Sequence, residues 1–180
     1  MMHVTAWVML VAGLALLAGA VHMTIPLAAW AAMILLLHAS RSLPAVGGLL
    51  GLWFASIVVL AITERASIPA AGPAYLAVIA SITLTMTLPF AIDRVAGALA
   101  VGSTGIVSTL AFPIAFVAID FLRSRLLPNA TWGSIAYTQY GVASLMQVAA
   151  FVGIWGIVFL MAWSASTFEG AHPSIARGTR

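Results

Sequence analysis

The chain has 180 residues, seven basic and four acidic, with 63% hydrophobic and only 6% charged side chains, where a soluble domain carries roughly 25% charged. At a mean hydropathy of +1.15 this composition excludes a water-soluble globule, because so short a chain cannot turn that much apolar surface inward. The absence of cysteine and lysine excludes disulfides, cysteine–zinc and iron–sulfur sites, cysteine nucleophiles and Schiff-base chemistry.

An all-α, polytopic membrane helix bundle is therefore expected, and a span needs about 20 apolar residues to cross roughly 30 Å of hydrocarbon. Six apolar segments qualify or nearly do, near 4–21, 24–39, 45–63, 74–92, 106–122 and 146–165. The first follows Met1-Met2-His3, which carries no fixed positive charge, and it is longer than the apolar core of a usual signal peptide; it reads as a retained helix. The second is short, with Pro26 in its first turn, where a missing amide costs nothing, and Arg41 as its stop. The third closes at Glu64-Arg65. The fourth follows the turn-like stretch Ile68–Pro73 and ends at Asp93-Arg94.

Within the fourth span, Ser81 to Leu88 alternate polar and apolar, a strand-like period. An open strand in hydrocarbon would leave backbone groups unpaired, so a helix is predicted, with its threonines bonded one turn back or to a neighbour; it is a candidate for the bundle interior, with a polar groove for substrate as the alternative. Gly102-Ser103-Thr104-Gly105 is the expected break before the fifth span. Gly47/Gly51 and Ala149/Gly153 are small-residue steps that permit close helix approach. Pro89 and Pro113 are expected to kink their helices. The transmembrane domain is taken as 1–168, with a short polar tail at 169–180.

With six spans, Arg41, Arg94, Arg177 and Arg180 share one side, against Arg65, Arg123 and Arg125 on the other, a four-to-three lean toward cytoplasmic termini. These scattered arginines form no basic stripe despite a pI near 10.2, so no nucleic-acid partner is expected. His3, His22, His38 and His172 lack metal-ligand spacing; no metal and no cofactor are expected.

From Asp120 to Gln147 the sequence changes character. Asp120 and Arg123, three apart, share a helix face and can pair. Their plainest role is a topology stop, with a headgroup site as the alternative. Trp132, Tyr137 and Tyr140 are aromatics of the kind that settle at headgroup level, and Asn129, Thr138 and Gln139 add neutral hydrogen-bonding groups. Asp120, Arg123, Trp132, Tyr137, Gln139 and Tyr140 are thus the candidate interface or lipid-headgroup residues.

Three stretches resemble one family. Phe112-Pro113 through Asp120-Phe121-Leu122-Arg123 is similar to the helix that precedes the periplasmic loop of bacterial apolipoprotein N-acyltransferases. Trp132-Gly133-Ser134-Ile135-Ala136-Tyr137-Thr138-Gln139 resembles the family's tryptophan, spacer and Gly-Tyr-Ser-Gln. Gln147 to Leu160 is similar to its next helix. Asp120 stands where glutamate is usual, Ala136 where glycine is common and Thr138 where serine is usual, so the chain also resembles a related membrane carbon–nitrogen hydrolase nearly as closely.

The resemblance implies a protein of the bacterial inner (cytoplasmic) membrane that handles membrane phospholipid, passing an acyl chain to a lipoprotein's N-terminus. It also implies that the chemistry belongs to a nitrilase-like domain with a Glu-Lys-Cys set, a partner missing here or separately encoded. No catalytic residue is therefore expected in this chain, which should be inactive alone. A hydroxyl such as Ser134 has no histidine base nearby in sequence. A membrane scaffold or assembly protein is the alternative. A small transporter is less favoured, since no repeat and no midplane charge is evident.

Overall fold

The structure is a computed structural model that describes residues 2–23, 25–99, 106–127 and 131–171. Six α-helices run in the order α1 (Met2–Met23), α2 (Pro26–Ser42), α3 (Ala45–Thr63), α4 (Gly72–Leu99), α5 (Ala111–Leu126) and α6 (Ala143–Ala171), with 3-10 turns at Ile106–Thr109 and Ile135–Gln139. The fold is an all-α, polytopic membrane-helix bundle. Among the described residues four helices, α1, α3, α4 and α6, are long and apolar enough to span a bilayer. The other two are shorter, with 17 residues in α2 and 16 in α5. At about 1.5 Å rise per residue they reach roughly 24–26 Å, a little under the hydrocarbon thickness.

Several boundaries move from their sequence-based positions. Helix α2 begins on Pro26 rather than residue 24, because proline's fixed φ and missing amide suit the first turn. Helix α4 runs from Gly72 to Leu99, past the charges Asp93 and Arg94 that seemed to end it. The fifth segment divides, since Ile106–Thr109 winds as a 3-10 turn and the α-helix starts only at Ala111. The expected break at 102–105 and the polar tail beyond Ala171 lie outside the described residues.

The sixth helix is both longer than expected and bent. Gly153 sits at φ 67° and ψ −171°, joining two helical pieces across a kink. Of the expected small-residue step, Ala149 packs against the core and Gly153 is the site of the bend. Gly51 does permit close approach: a Cβ there would overlap the indole of Trp7 from α1. At Gly47, by contrast, a Cβ would meet nothing.

The outer surface reads as lipid-facing. Val46, Leu50, Phe54, Val58 and Ile62 form an i, i+4 stripe along α3, every one exposed. Such a stripe is unstable in water and indifferent in hydrocarbon, where lipid tails are as apolar as the side chains. Inside, α1 packs on α2 and α3, α3 on α4, α4 on α5, α5 on α6 and α6 back on α2, so the helices close a ring. Its centre holds Leu10, Met33, Leu37, Phe112, Ile157 and Met161. Phe90, Phe112 and Phe116 pack in tilted and edge-to-face contacts with centroids 5.1–6.4 Å apart, joining α4 to α5.

The threonines of α4 behave as expected of a helix. Thr83 donates to the Ile79 carbonyl at 2.9 Å, Thr85 to Ile82 at 2.7 Å and Thr87 to Thr83 at 2.8 Å. Thr83 and Thr87 are buried. Pro89, one turn after Thr85, has no N–H for that residue's carbonyl, and the helix continues through it.

Charged residues tie the bundle at one end. Arg41 grips Asp93 in a two-point bond, Nε to Oδ2 at 2.9 Å and Nη2 to Oδ1 at 2.8 Å. Arg94 donates to the carbonyls of Ser40 and Leu43, satisfying backbone acceptors left open where α2 ends. His38 lies 3.0 Å from the Glu169 carboxylate, so α2, α4 and α6 meet there in polar contacts.

Candidate functional site

At the opposite end the ring is hollow. A cavity of about 370 Å³ opens between α1, α3, α4 and α5, with Met33 and Leu36 of α2 behind it. Its walls are apolar, built by Leu17, Leu52, Ile82, Met86, Phe90 and Phe116. That volume falls within the roughly 300–1,000 Å³ of small-molecule pockets, which combine apolar walls with a few placed polar groups. Here those groups gather at the loop end, where Glu64, Asp120, Arg123, Ser134 and Thr138 line the same space.

The pair read from spacing forms. Arg123 Nη2 donates to Asp120 Oδ1 at 2.6 Å, both side chains buried on the inner face of α5. The other Asp120 oxygen accepts from Ser134 Oγ at 2.8 Å. Asp120 thus holds the loop onto the helix, and its charge is met on both oxygens, as a carboxylate in a low-dielectric setting requires. Ser134 stands just before the 3-10 turn Ile135–Gln139, and the chain arrives there through Gly133 at φ 77°. Gly141, at φ 90°, turns it away again. Both angles lie in the left-handed region that glycine adopts without strain.

Gln139 goes elsewhere than its neighbours. It is only 1% exposed, its Oε1 accepts from Trp30 Nε1 at 2.9 Å, and its Nε2 donates to the Pro26 carbonyl at 3.1 Å and to Thr138 Oγ1 at 2.8 Å. Every polar atom of its side chain is spent in binding the loop to the start of α2, so the residue serves packing and does not line the cavity. Trp132, Tyr137 and Tyr140 do line it, at its rim. Tyr137 Oη lies 2.7 Å from Thr131 Oγ1, and Tyr140 is 82% exposed.

The structure therefore brings Asp120, Arg123, Trp132, Tyr137 and Tyr140 to one cavity and sets Gln139 behind it. Sequence reading passed over Ser134 as a partner of Asp120, Glu64 as a lining residue and Trp30 as the acceptor's donor. Ser134 was findable as the capping-type residue before a turn, in the same polar stretch. Trp30, 109 positions from Gln139, had no local signal. Asn129 lies outside the described residues. Among the described residues no group of three or more His, Asp or Glu gathers as metal ligands would.

A bundle of apolar helices around an apolar void with a polar rim defines a polytopic membrane-helix domain. The chain belongs to the apolipoprotein N-acyltransferase N-terminal domain family, matching it over residues 3–167. It is also similar to an apolipoprotein N-acyltransferase of Geobacter metallireducens, 36% identical over 58 residues. That aligned stretch covers 32% of this chain and 11% of the relative. No solved structure matches.

Proposed function

We propose that this chain is the membrane portion of an apolipoprotein N-acyltransferase-like protein, and that its cavity receives an acyl chain of a membrane phospholipid. The observation that carries the reading is the apolar void of about 370 Å³ ending at the Asp120–Arg123–Ser134 cluster, with Trp132 and Tyr137 at its rim. A hydrocarbon chain gains nothing from leaving lipid for an equally apolar wall, so the polar end must supply selectivity by holding the headgroup region. In this reading all six helices cross the inner membrane, the termini face the cytoplasm and the rim faces outward. The acyl transfer itself belongs to a partner nitrilase-like domain with its Glu-Lys-Cys set. This chain contributes placement and no nucleophile.

The test is photolabelling of the purified chain with a phospholipid that carries a diazirine on its acyl chain. Label is expected on the inner face of α4, around Ile82 and Met86. Forcing bulk into a filled cavity costs about 1–3 kcal/mol, so Thr85→Trp should cut that labelling roughly tenfold. Label confined to the outward stripe of α3, or left unchanged by Thr85→Trp, would overturn the reading.

A further inference from the structure

His38 is engaged at both ring nitrogens. Its Nδ1 lies 3.0 and 3.2 Å from the two carboxylate oxygens of Glu169, and its Nε2 lies 3.3 Å from Ser42 Oγ. A carboxylate accepts and does not donate, so in the neutral ring Nδ1 carries the proton and Nε2 keeps its lone pair. The Ser42 hydroxyl then donates to Nε2. Serine, base and carboxylate thus stand in the order of a nucleophilic triad, which is recognised by geometry and roles and not by fold.

Ordinary helix chemistry uses a serine differently. Its hydroxyl bonds a carbonyl three or four residues back, as Ser56, Ser81, Ser124 and Ser164 do in this chain. Ser42 is bonded to the imidazole one turn back instead. The contact of α2 with α6 needs only His38 and Glu169, so the serine adds nothing to that tie.

The surroundings suit a small substrate. Ser42 and His38 are half-buried, and the chain beyond them, Pro44 to Gly47, is exposed. Helix α3 begins at Ala45 without a side-chain cap, so its first-turn amides have no helical carbonyl to bond. A Cβ on Gly47 would meet nothing. Unspent N–H donors and free space therefore follow the serine directly in the chain, and such donors stabilise an oxyanion. Val46 and Leu50, both exposed, offer an apolar surface to an acyl group.

We propose that Ser42, His38 and Glu169 form a serine-nucleophile site that hydrolyses a small acyl ester, at the end of the bundle remote from the cavity. Ser42 Oγ bonds to the acyl carbon and its proton passes to His38 Nε2. The ester's alcohol oxygen leaves and takes that proton. Water then attacks the acyl-serine by the same route, releasing the carboxylic acid and returning a proton to Ser42. Glu169 is the positioning residue, holding the ring in the tautomer the step needs. None of the three residues lines the cavity, and the site has no part in the transfer assigned to the partner domain.

The purified chain in nanodiscs is treated with an alkyl fluorophosphonate, whose phosphorus bonds to an activated serine as fluoride leaves, and the labelled peptide is mapped. Label is expected on Ser42 and is lost in Ser42→Ala. Removing the base in His38→Gln should slow labelling about a hundredfold. Glu169→Gln should slow it at least about tenfold, with part of the rate restored in Glu169→Asp, which a merely structural contact would not show. Hydrolysis of p-nitrophenyl butyrate should follow the same order. Thermal unfolding checks each variant, and Ser42→Ala, which removes one half-buried hydroxyl, carries the comparison if the others do not fold.

Absence of phosphonate on Ser42, label on Ser134 in its place, or labelling that survives in folded His38→Gln overturns the site. So does ester hydrolysis that is absent, or that Ser42→Ala leaves unchanged. Each of these results leaves the acyl cavity standing, since photolabelling of α4 tests that reading separately.

Discussion

Arg41 and Asp93 are 52 positions apart, each in a place where a charge is ordinarily read as the stop of a span. In the bundle they meet instead, with Asp93 buried and Arg41 about one-third exposed. Removing one partner of such a pair strands the other, so Asp93→Ala should cost about 2–3 kcal/mol, somewhat under the value for a fully buried pair. Replacing both, Arg41→Met with Asp93→Leu, should return stability toward the parent, since an apolar pair carries no desolvation penalty. Unfolding of the two singles and the double in detergent measures this, and purely additive losses would show that the contact contributes nothing. The Asp120–Arg123 pair was legible because a helix places i and i+3 side by side. Arg41–Asp93, His38–Glu169 and Trp30–Gln139 were not, because only the closed ring brings those residues together.

Elements were legible where local chemistry dictates them. Pro26 starts α2, the alternating threonines of α4 bond to their own helix, and uncharged runs mark the cores of α1 and α3. What escaped was the backbone at Gly153, whose positive φ breaks the helix inside an apolar run that carries no turn signal but the glycine itself. Gly153→Ala places a Cβ at φ 67° and should destabilise by about 1–2 kcal/mol, or else straighten the helix. As the chain has no cysteine, spin labels introduced through Ser144→Cys and Thr167→Cys report on the bend. The distance between them should lengthen in the Gly153→Ala background. A variant with unchanged distance and stability would show that the bend needs no glycine.

At the scale of the whole molecule the arrangement of helices could not be read from hydropathy, because in a membrane the packed and the lipid-facing sides are both apolar. The stripe of α3 and the core of α1 look alike in sequence and face opposite ways. The proposed crossing of all six helices makes a definite statement about sides. Ser67→Cys and Tyr140→Cys should react with an impermeant maleimide from outside intact cells, and Ser42→Cys and Thr167→Cys only after permeabilisation. Reaction of Ser42→Cys and Ser67→Cys from the same side would remove α3 from the crossing set.

The polar contacts among α2, α4 and α6 lie at the end of the bundle remote from the void. Strong contacts at one extremity and missing packing at the other make stiffness uneven along the membrane normal. The Arg41–Asp93 pair fixes α4 to α2 at that end, so any parting of the helices around the void is expected to be widest at the rim. In the proposed orientation the rim is the outer-leaflet end, so a bundle tied at its base would yield first where a lipid would enter sideways.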